Sequence, residues 1–299
     1  MKIFSGSSNK PLAEKIAKEL HLSLSPLEIH VFPDKEKRIQ VQERVVDEDC
    51  IIVESTAPPA NENYMELFFI VDALKRSGAK TVTVVVPYLG YQRQDHVFRS
   101  GEAVSLEVVA TTLEAVGMDK LITVDLHSIK IPEVFHVPIA HLSALPLFAQ
   151  KIKELHIQSK AVLVSPDMGG IRRIKLLSEM LADMPYAAIE KERNLQSGVV
   201  TANVIHGDIG QTAFIVDDMI SSGKTIETAA KLLHEKGATT IYVFASHPVF
   251  SEEAKEILEK TAVEKVFVTD TIDVPEKKHF PKLEILSIAA TIAESLGNK

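Results

Sequence analysis

The sequence contains almost no cysteine, and Cys50 is the only one among its 299 residues. An intramolecular disulfide is therefore excluded, and so are structural zinc and iron–sulfur sites, which need several thiolates. Runs of roughly 18 apolar residues are also missing, and the first residues, Met1–Gly6, lack the apolar segment of a secretory signal. We expect a cytoplasmic protein from a reducing compartment that is neither secreted nor embedded in a membrane.

Basic side chains are outnumbered by acidic ones, with 33 Lys and Arg against 41 Asp and Glu, and the formal net charge is −8. Proteins that neutralise nucleic-acid phosphates usually present a basic face, so no nucleic-acid partner is predicted. A small phosphorylated ligand needs only a few local donors and stays compatible with this charge. The length favours two domains, and a hydrophobic content of 45% favours well-packed cores.

Short, solidly apolar runs alternate with amphipathic segments along most of the chain. Such runs are typical of strands covered on both faces in a parallel sheet, and the segments between them are typical of helices. The clearest predicted strands are 81–86, 121–124, 161–164, 213–216 and 241–245, and the clearest predicted helices are 61–77, with Asn61 as a cap, and 225–236. The pattern predicts the α/β class with doubly wound, mainly parallel sheets flanked by helices.

Two stretches of the sequence repeat the same order of features. Residues 73–84 and 232–243 both read as a helix end, Gly-Ala, Thr and a strand. Upstream of them, the strand 51–55 corresponds to 214–218. A tandem duplication explains the length, and chance similarity of helix–Gly–strand junctions is the alternative. We predict domains at 1–144 and 145–299, with a last helix over 285–296 that packs back on the first domain.

The segment Phe214–Thr225 carries the most specific chemistry. Its apolar strand leads through Asp217 and Asp218 to a small-residue loop at a helix start, where backbone N–H groups attract anions. That combination suits a sugar phosphate, because the loop can hold the phosphate while the acids accept hydrogen bonds from ribose hydroxyls. The first copy has Pro58 and Pro59 instead, which lack these donors. A P-loop is excluded because it needs Gly at the position of Asp218, and a solvated turn is the structural alternative.

Further segments join this one in resembling a known family. They are Phe32–Glu36, Tyr91–Asp95, Asp125–Ser128 and Ser165–Gly170. Together with 217–225 they are similar to the signatures of ribose-phosphate pyrophosphokinases, the phosphoribosyl pyrophosphate synthetases. Type I phosphoribosyltransferases share the sugar-phosphate loop but have a single domain. The resemblance covers nearly the whole chain and implies two tandem type I phosphoribosyltransferase-like domains, of which the first has a degenerate sugar-phosphate loop.

The resemblance also implies a reaction. ATP would donate its β,γ-pyrophosphoryl group to the anomeric hydroxyl of ribose 5-phosphate, giving AMP and 5-phosphoribosyl 1-pyrophosphate for nucleotide biosynthesis, with Mg²⁺ as the metal. The residues assigned to ribose 5-phosphate are Asp217, Asp218, Ser221, Ser222, Gly223, Lys224 and Thr225; those assigned to ATP are Phe32, Asp34, Glu36, Arg93, Gln94, Asp95 and His96; those assigned to the metal are His127 and Asp167; and those assigned to catalysis are Lys191 and Arg193.

Each of these segments also has a purely structural reading. The run Arg93–Asp95 by itself would be a surface loop, although Arg can fork onto phosphate oxygens and Gln can bond a base edge. Residues 32–38 would be a charged hairpin, His127 a strand-end side chain bonded to a carbonyl, and 190–194 a solvated charge run. In the family, the loop at Phe32 offers an aromatic face to adenine and commonly reaches into a neighbouring subunit. We therefore expect a homo-oligomer.

The chain departs from the commoner bacterial pattern at Ser221–Lys224 and at His96. The departures favour a divergent branch, with an archaeal origin left open, and they leave the phosphate grip and the nucleotide contacts open. A phosphoribosyltransferase would not explain the first copy. A non-catalytic, regulatory relative would have no reason to keep Lys191 and Arg193. A dinucleotide-binding oxidoreductase lacks the Gly-x-Gly-x-x-Gly turn that it needs.

Overall fold

The computed structural model describes residues 1–157, 160–193, 200–251 and 253–297, without the side chains of 191–193 and 200–203. The chain forms two compact units, one of Met1–Leu142, Thr271–Asp273 and Ser287–Lys299 and the other of Ser143–Asp270 and Val274–Leu286. The predicted boundary after residue 144 lies beside the junction at Leu142 and Ser143. Within the described residues, no helix is long and apolar enough to span a bilayer.

The first unit is built on a five-stranded sheet in which every strand pair is parallel. The strand order is β1-β4-β5-β6-β7, and a separate antiparallel hairpin pairs β2 with β3. The elements are β1 (Lys2–Ser5), α1 (Lys10–Glu19), β2 (Leu27–Val31), β3 (Lys37–Val41), β4 (Asp49–Val53), α2 (Ala60–Arg76), β5 (Thr81–Val86), α3 (Ser105–Ala115), β6 (Lys120–Val124), β7 (Ile139–Leu142) and the last helix, α8 (Ala289–Gly297).

The second unit is built on a seven-stranded sheet with the order β10-β9-β8-β11-β12-β13-β14. Only the edge pair of β9 and β10 is antiparallel. The elements are α4 (Leu145–Glu154), β8 (Ala161–Ser165), α5 (Ile171–Met180), β9 (Tyr186–Arg193), β10 (Val200–His206), β11 (Thr212–Ile220), α6 (Lys224–Glu235), β12 (Thr240–Pro248), α7 (Ala254–Lys260), β13 (Lys265–Thr269) and β14 (Leu283–Leu286). The predicted α/β class with mainly parallel sheets is confirmed.

The repeat found in the sequence has a structural counterpart. The order β1-β4-β5-β6-β7 corresponds strand by strand to β8-β11-β12-β13-β14, and each unit inserts a hairpin after its first strand and helix. The matched helix ends also agree. Gly78 and Gly237 both have left-handed backbones, with φ values of 89° and 99°. The next residue, Ala79 or Ala238, donates its N–H to a carbonyl five residues back at 3.1 or 3.0 Å.

Two helix boundaries differ from the sequence-based expectation. Helix α2 begins at Ala60 after Pro59, without a side-chain cap, so Asn61 is inside the helix and does not cap it. The last helix begins at Ala289, because residues 283–286 pair with β13 as a strand. Helix α8 packs against α1 within the first unit.

The core of the second unit includes a cluster of aromatic rings on its central strands. Phe244 of β12 is fully buried, and its ring lies 4.6 Å from that of Phe267 and 5.4 Å from that of Phe148, between centroids. Deleting a buried aromatic side chain removes its transfer free energy and leaves a cavity. This cluster fixes the sheet whose strand ends carry the candidate site.

We predict that Phe244→Ala lowers the free energy of unfolding of the second unit by about 3–5 kcal/mol. Urea denaturation followed by circular dichroism measures the loss. Phe69→Ala on α2 is the matched control, because Phe69 is 39% exposed and its truncation leaves no cavity. Equal losses for the two variants would contradict the assignment of Phe244 to a tightly packed core.

Candidate active site

The two adjacent carboxylates lie inside a strand that is longer than the sequence suggested. Strand β11 runs to Ile220, so Asp217 and Asp218 belong to it and do not follow it. Its pairing with β8 ends at Ile215 and Val164, whereas its pairing with β12 continues to Ile220. The acids therefore lie beyond the carboxyl end of β8. Ligands of α/β proteins bind at the carboxyl ends of the parallel strands.

Arg173 faces both carboxylates. Arg173 of α5 places Nη1 3.3 Å from Asp217 Oδ1 and Nη2 3.6 Å from Asp218 Oδ1, and the three side chains are 17%, 14% and 6% exposed. Burial, followed by repulsion from Asp218, raises the pKa of Asp217 well above its ordinary range, and Arg173 opposes that rise. The pair is held as a tight, partly neutralised cluster.

The loop after β11 turns the chain into α6. Gly223 precedes the helix with φ of 82°, and a Cβ at this position would lie 3.2 Å from Leu258 Cγ. The carbonyls of Ile220 and Ser221 accept N–H groups from the segment after β12 at 3.0 Å each. The first N–H groups of a helix have no partners within the helix, so they can bind an anion. Fixed by Gly223 and by these hydrogen bonds, the loop presents that end of α6.

Other predicted residues of the loop have different surroundings. Ser222 Oγ accepts the N–H of Lys224 at 3.4 Å, at the start of α6. The Lys224 side chain extends to Glu253, with Nζ 3.3 Å from Oε2, and both side chains are exposed. Ser221 and Thr225 are partly exposed. Residues 217–225 thus connect a strand end to a helix start, with Ser221, Ser222, Lys224 and Thr225 at least partly exposed.

Asp167 follows the end of β8, which is paired with β11. Asp167 Oδ1 accepts the N–H of Gly170 at 3.1 Å, and Ser165 Oγ donates to the Asp167 carbonyl at 2.7 Å. A Cβ on Gly170 would approach Ser165 Oγ to 2.3 Å, so a larger residue here would displace the Ser165 hydroxyl. The charge of Asp167 helps to raise the pKa of Asp217, which places the exposed Asp167 near the acidic pair.

The predicted catalytic residues fall partly outside the described structure. The backbones of Lys191 and Arg193 belong to β9, which pairs with β10. Their side chains lie outside the described residues, as do residues 194–199. Strand β9 also pairs with β8, which ends at the same sheet edge. The roles of Lys191 and Arg193 stay predictions.

In the first unit, the structure joins two of the predicted segments. Strands β5 and β6 are parallel neighbours, and Gln92 and His127 follow their respective ends. The buried Gln92 accepts the N–H of His127 through Oε1 at 2.8 Å. His141 Nε2 accepts the N–H of Leu126 at 2.9 Å, and burial lowers the pKa of His141, consistent with a neutral ring. The side chain of His127 itself is exposed.

The segment assigned to ATP is an exposed turn after β5. Arg93 and Gln94 are exposed, and the Gln94 N–H is held by the carbonyl of Tyr91 at 2.7 Å. Asp95 Oδ1 lies 2.6 Å from His96 Nδ1, so these two predicted ligands contact each other. Tyr64 Oη donates to the Gly90 carbonyl at 2.7 Å and ties the segment to α2. An anchored turn with exposed Arg and Gln side chains can bind phosphate or a base edge.

Phe32, Asp34 and Glu36 lie at the tip of the β2–β3 hairpin. Asp34 Oδ1 accepts the Glu36 N–H at 3.1 Å, which closes the tip. The Phe32 ring is 36% exposed, and its centroid lies 4.6 Å from that of His30 and 5.9 Å from Arg38 Cζ. The hairpin therefore presents a supported aromatic face to its surroundings.

The described donor side chains limit how a metal ion could be held. Among the residues whose positions are described, no group of three or more His, Cys, Asp and Glu side chains could hold an ion. Mg²⁺ usually keeps several waters and takes one or two protein ligands besides substrate phosphates. The exposed Asp167 carboxylate and His127 ring fit that limited role. His127 belongs to the first unit and Asp167 to the second.

Sequence reasoning missed Arg173 and Gln92 as parts of the site. Both acquire their roles only from a neighbour in space, Arg173 from the acids of β11 and Gln92 from the turn after β6. A basic residue on the helix after the Ser165–Gly170 turn was the available signal for Arg173. Nothing in the local sequence around Gln92 points to His127.

Comparison with known proteins identifies the family. Residues 1–117 match the model of the N-terminal domain of ribose phosphate pyrophosphokinase, and residues 184–298 match that of the phosphoribosyl synthetase-associated domain. The chain is 41% identical over 299 residues to ribose-phosphate pyrophosphokinase 1 of Streptococcus mutans, covering 99% of this chain and 92% of the relative. The chain belongs to the ribose-phosphate pyrophosphokinase family.

Two further relatives support the assignment to this family. The chain is 40% identical over 297 residues to the ribose-phosphate pyrophosphokinase of Fusobacterium nucleatum, covering 99% of this chain and 94% of the relative. The crystal structure of phosphoribosylpyrophosphate synthetase from Mycobacterium smegmatis superposes with a TM-score of 0.93 at 34% identity, covering 99% and 97% of the two chains. The predicted pair of phosphoribosyltransferase-like domains is confirmed.

We predict that Arg173→Met lowers the free energy of unfolding by about 3 kcal/mol at neutral pH, because it leaves two buried carboxylates without their counter-charge. This loss of unfolding free energy should become smaller as the pH falls. The pKa of Asp217 is already raised, and its protonation removes the repulsion between Asp217 and Asp218. Denaturation at several pH values measures it. Lys175→Met, at an exposed position of the same helix, is the control. A deficit that does not change with pH would argue against this pairing.

Proposed function

We propose that the chain transfers the β,γ-pyrophosphoryl group of ATP to the anomeric hydroxyl of ribose 5-phosphate, giving AMP and 5-phosphoribosyl 1-pyrophosphate. Family membership makes it a pyrophosphokinase, and the observation that carries the residue assignment is the Arg173-held pair of Asp217 and Asp218 beside the start of α6. A phosphoribosyltransferase or a non-catalytic relative is not favoured, because the pyrophosphokinase match extends over nearly the whole chain.

Ribose 5-phosphate would bind along residues 217–225. The N–H groups at the start of α6 suit its phosphate, and Ser221, Ser222 and Thr225 add hydroxyl donors. Carboxylates accept hydrogen bonds, so Asp217 and Asp218 suit the ribose hydroxyls. Arg173 limits their repulsion and holds them in one orientation. Both ends of the sugar phosphate would thus be bound by residues at the carboxyl end of β11 and the start of α6.

ATP would bind to the first unit. The anchored turn at Arg93 and Gln94 offers a guanidinium for phosphate oxygens and an amide for a base or ribose. Asp95 and His96 extend this surface, and the hairpin tip with Phe32 offers an aromatic face for adenine, supported by Asp34 and Glu36. Stacking of a base on an aromatic ring contributes about 1–3 kcal/mol by analogy with single-stranded nucleic-acid binding.

The reaction asks the protein chiefly for positioning and for neutralising charge. The anomeric oxygen attacks the β-phosphorus in line, a bond from that oxygen to phosphorus forms, and the bond to the AMP oxygen breaks. Lys191 and Arg193 are assigned to the charge that develops on the transferring group and to covering it from water. Their place on β9, beside the end of β8, supports this assignment.

Mg²⁺ is the metal that we propose for the reaction. Bound to the ATP phosphates, it would neutralise their charge and orient them. Asp167 and His127 would hold it, directly or through water, because each presents an exposed donor after a strand of its own sheet. The small number of candidate protein ligands agrees with an ion held mostly by phosphate and water.

We also propose that the chain forms a homo-oligomer in the cytoplasm and that the adenine site is shared between subunits. The β2–β3 hairpin supports a shared site, because Val31 and Phe32 at its end are 49% and 36% exposed. Apolar side chains at the tip of a projecting hairpin are suited to contact a neighbouring surface.

The activity itself is tested by mixing the protein with Mg²⁺, ATP and ribose 5-phosphate. Phosphorus NMR should show AMP and 5-phosphoribosyl 1-pyrophosphate in equal amounts, because the transferred group stays intact. Omitting ribose 5-phosphate is the control and should give no AMP. Release of ADP, or of free pyrophosphate without the sugar product, would rule out the proposed reaction.

We predict that Lys191→Ala lowers kcat by about two to three orders of magnitude, because one charged donor to the transition state is lost. Binding of ribose 5-phosphate, measured by calorimetry, should stay nearly unchanged. Lys153→Ala, at an exposed position of α4, is the matched control and should keep full activity. Near-normal turnover of the Lys191 variant would remove this residue from the mechanism.

A further inference from the structure

The first unit buries a second pair of carboxylates, which the site described above does not use. Glu54 follows β4 and Glu66 lies in α2, and both are fully buried. The repeat aligns Glu54 with Asp217, since 51–55 corresponds to 214–218. Glu54 therefore occupies, in the first unit, the position of an acid that we assign to substrate in the second.

The two carboxylates have unequal hydrogen-bond partners. Glu66 accepts the Ser7 N–H at 2.6 Å, the Ser7 hydroxyl at 2.9 Å and Lys37 Nζ at 2.5 Å. Glu54 Oε2 accepts the Ser8 N–H at 3.3 Å, whereas Glu54 Oε1 has no hydrogen-bond partner among the described residues. An ionised, buried carboxylate needs donors, so this geometry assigns the negative charge to Glu66.

The surrounding charges lead to the same assignment. Burial and then the charge of Glu66 raise the pKa of Glu54 to about 8, while Ser8 and Lys37 act in the opposite direction. One lysine cannot neutralise two buried carboxylates. At neutral pH the cluster is therefore balanced by one negative and one positive charge only if Glu54 keeps its proton.

The carboxyl group of Glu54 is fully buried. A Cβ on Gly6 would lie 2.0 Å from Glu54 Oε2, so the backbone of Gly6 packs directly on the carboxyl group. The loop at Ser8 is also fixed on this side, because Ser8 Oγ accepts the Ser55 N–H at 2.8 Å. In contrast with Asp217, Glu54 is an interior group, and its effect must pass through its neighbours.

Lys37 is the neighbour that connects this cluster to the segment proposed to bind ATP. It is the first residue of β3, directly after Glu36, and its side chain is 17% exposed. We propose that Glu54, as a neutral acid, and Glu66, as its ionised neighbour, form an interior clamp that holds Lys37 and thereby positions the β2–β3 hairpin for ATP. This inference rests on the proposed role of the hairpin in binding adenine.

Ionisation of Glu54 would weaken the clamp. A second negative charge beside Glu66 has no donor on Oε1, so the pair would repel and Lys37 would be shared between two carboxylates. The ion pair between the hairpin and α2 would be weakened. Glu54 and Glu66 are then positioning residues, because neither touches the substrates in the proposed site.

The decisive variant is Glu54→Gln, which keeps the shape of the neutral acid and cannot ionise. If Glu54 ionises near pH 8, kcat/KM for ATP in the wild type falls about tenfold from pH 7 to pH 9 through a rise in KM. The variant should match the wild type at pH 7 within about twofold and should lose this part of the fall. Glu62→Gln, at an exposed position of α2, is the matched control and should keep the wild-type profile.

Thermal unfolding supplies a readout independent of catalysis. Because the pKa of Glu54 rises from 4.5 to about 8 on folding, the folded protein binds more protons between these values. Stability then falls as the pH rises through this window. Glu54→Gln should remove that part of the slope, so its Tm should exceed the wild-type Tm by more at pH 8 than at pH 5, and Glu62→Gln should show no such divergence.

Lys37→Met tests the link to the hairpin. We expect it to raise KM for ATP about tenfold at every pH while kcat and KM for ribose 5-phosphate stay near wild type. Phe32→Ala, which truncates the proposed adenine face, reports separately on the role of the hairpin. If Phe32→Ala leaves KM for ATP unchanged, the proposed ATP site is wrong, whereas the Tm comparison still tests the proton on Glu54.

The outcomes decide whether Glu54 is neutral and whether its protonation affects the hairpin. Loss of both pH dependences in Glu54→Gln, with the expected effect of Lys37→Met, supports the clamp. An unchanged Tm slope overturns the neutral Glu54. A changed Tm slope with an unchanged ATP profile, or a Lys37→Met variant with normal KM for ATP, overturns the coupling to the hairpin. If Glu54→Gln does not fold, a wild-type infrared difference spectrum without a carboxylic acid band titrating near pH 8 overturns the proposal.

Discussion

In each half of the chain, a pair of buried or mostly buried carboxylates faces one cation among the described side chains, and the two sites depend on that imbalance. Asp217 and Asp218 face Arg173 in the second unit, and Glu54 and Glu66 face Lys37 in the first. Two buried negative charges and one positive charge cannot all be satisfied, so one acid in each pair has a raised pKa. The cation in each case comes from an element that follows the first strand of its unit, α5 or the hairpin.

The same imbalance has different consequences in the two copies. In the second unit the acids lie at an open strand end, beside a helix start, and Asp217 keeps some exposure for a ligand. In the first unit Gly6 and Ser8 close over Glu54, and the loop that would bind a phosphate contains Pro58 and Pro59. The acid at the matched position is thus an interior group in the first unit and a partly exposed one in the second.

Much of the fold was predictable because its signals are local. Apolar runs identify the buried strands, and a glycine with a left-handed backbone ends each matched helix, so Gly78 and Gly237 mark the repeat in the sequence. Strand ends were less predictable. Residues 217–220 continue β11 only because β12 is there to pair with them, and 285–286 form a strand only because β13 is adjacent. Pairing partners distant in sequence decide such boundaries.

The sequence by itself determined the α/β class, the tandem repeat and the loop at 217–225, since these follow from hydrophobic periodicity and from the order of small and acidic residues. Only the tertiary structure decided which side chains share charge. Arg173 reaches the acids because α5 packs beside β11, and Lys37 reaches Glu66 because the hairpin packs on α2. Electrostatic interactions depend on distance and burial in space, which one-dimensional spacing does not specify.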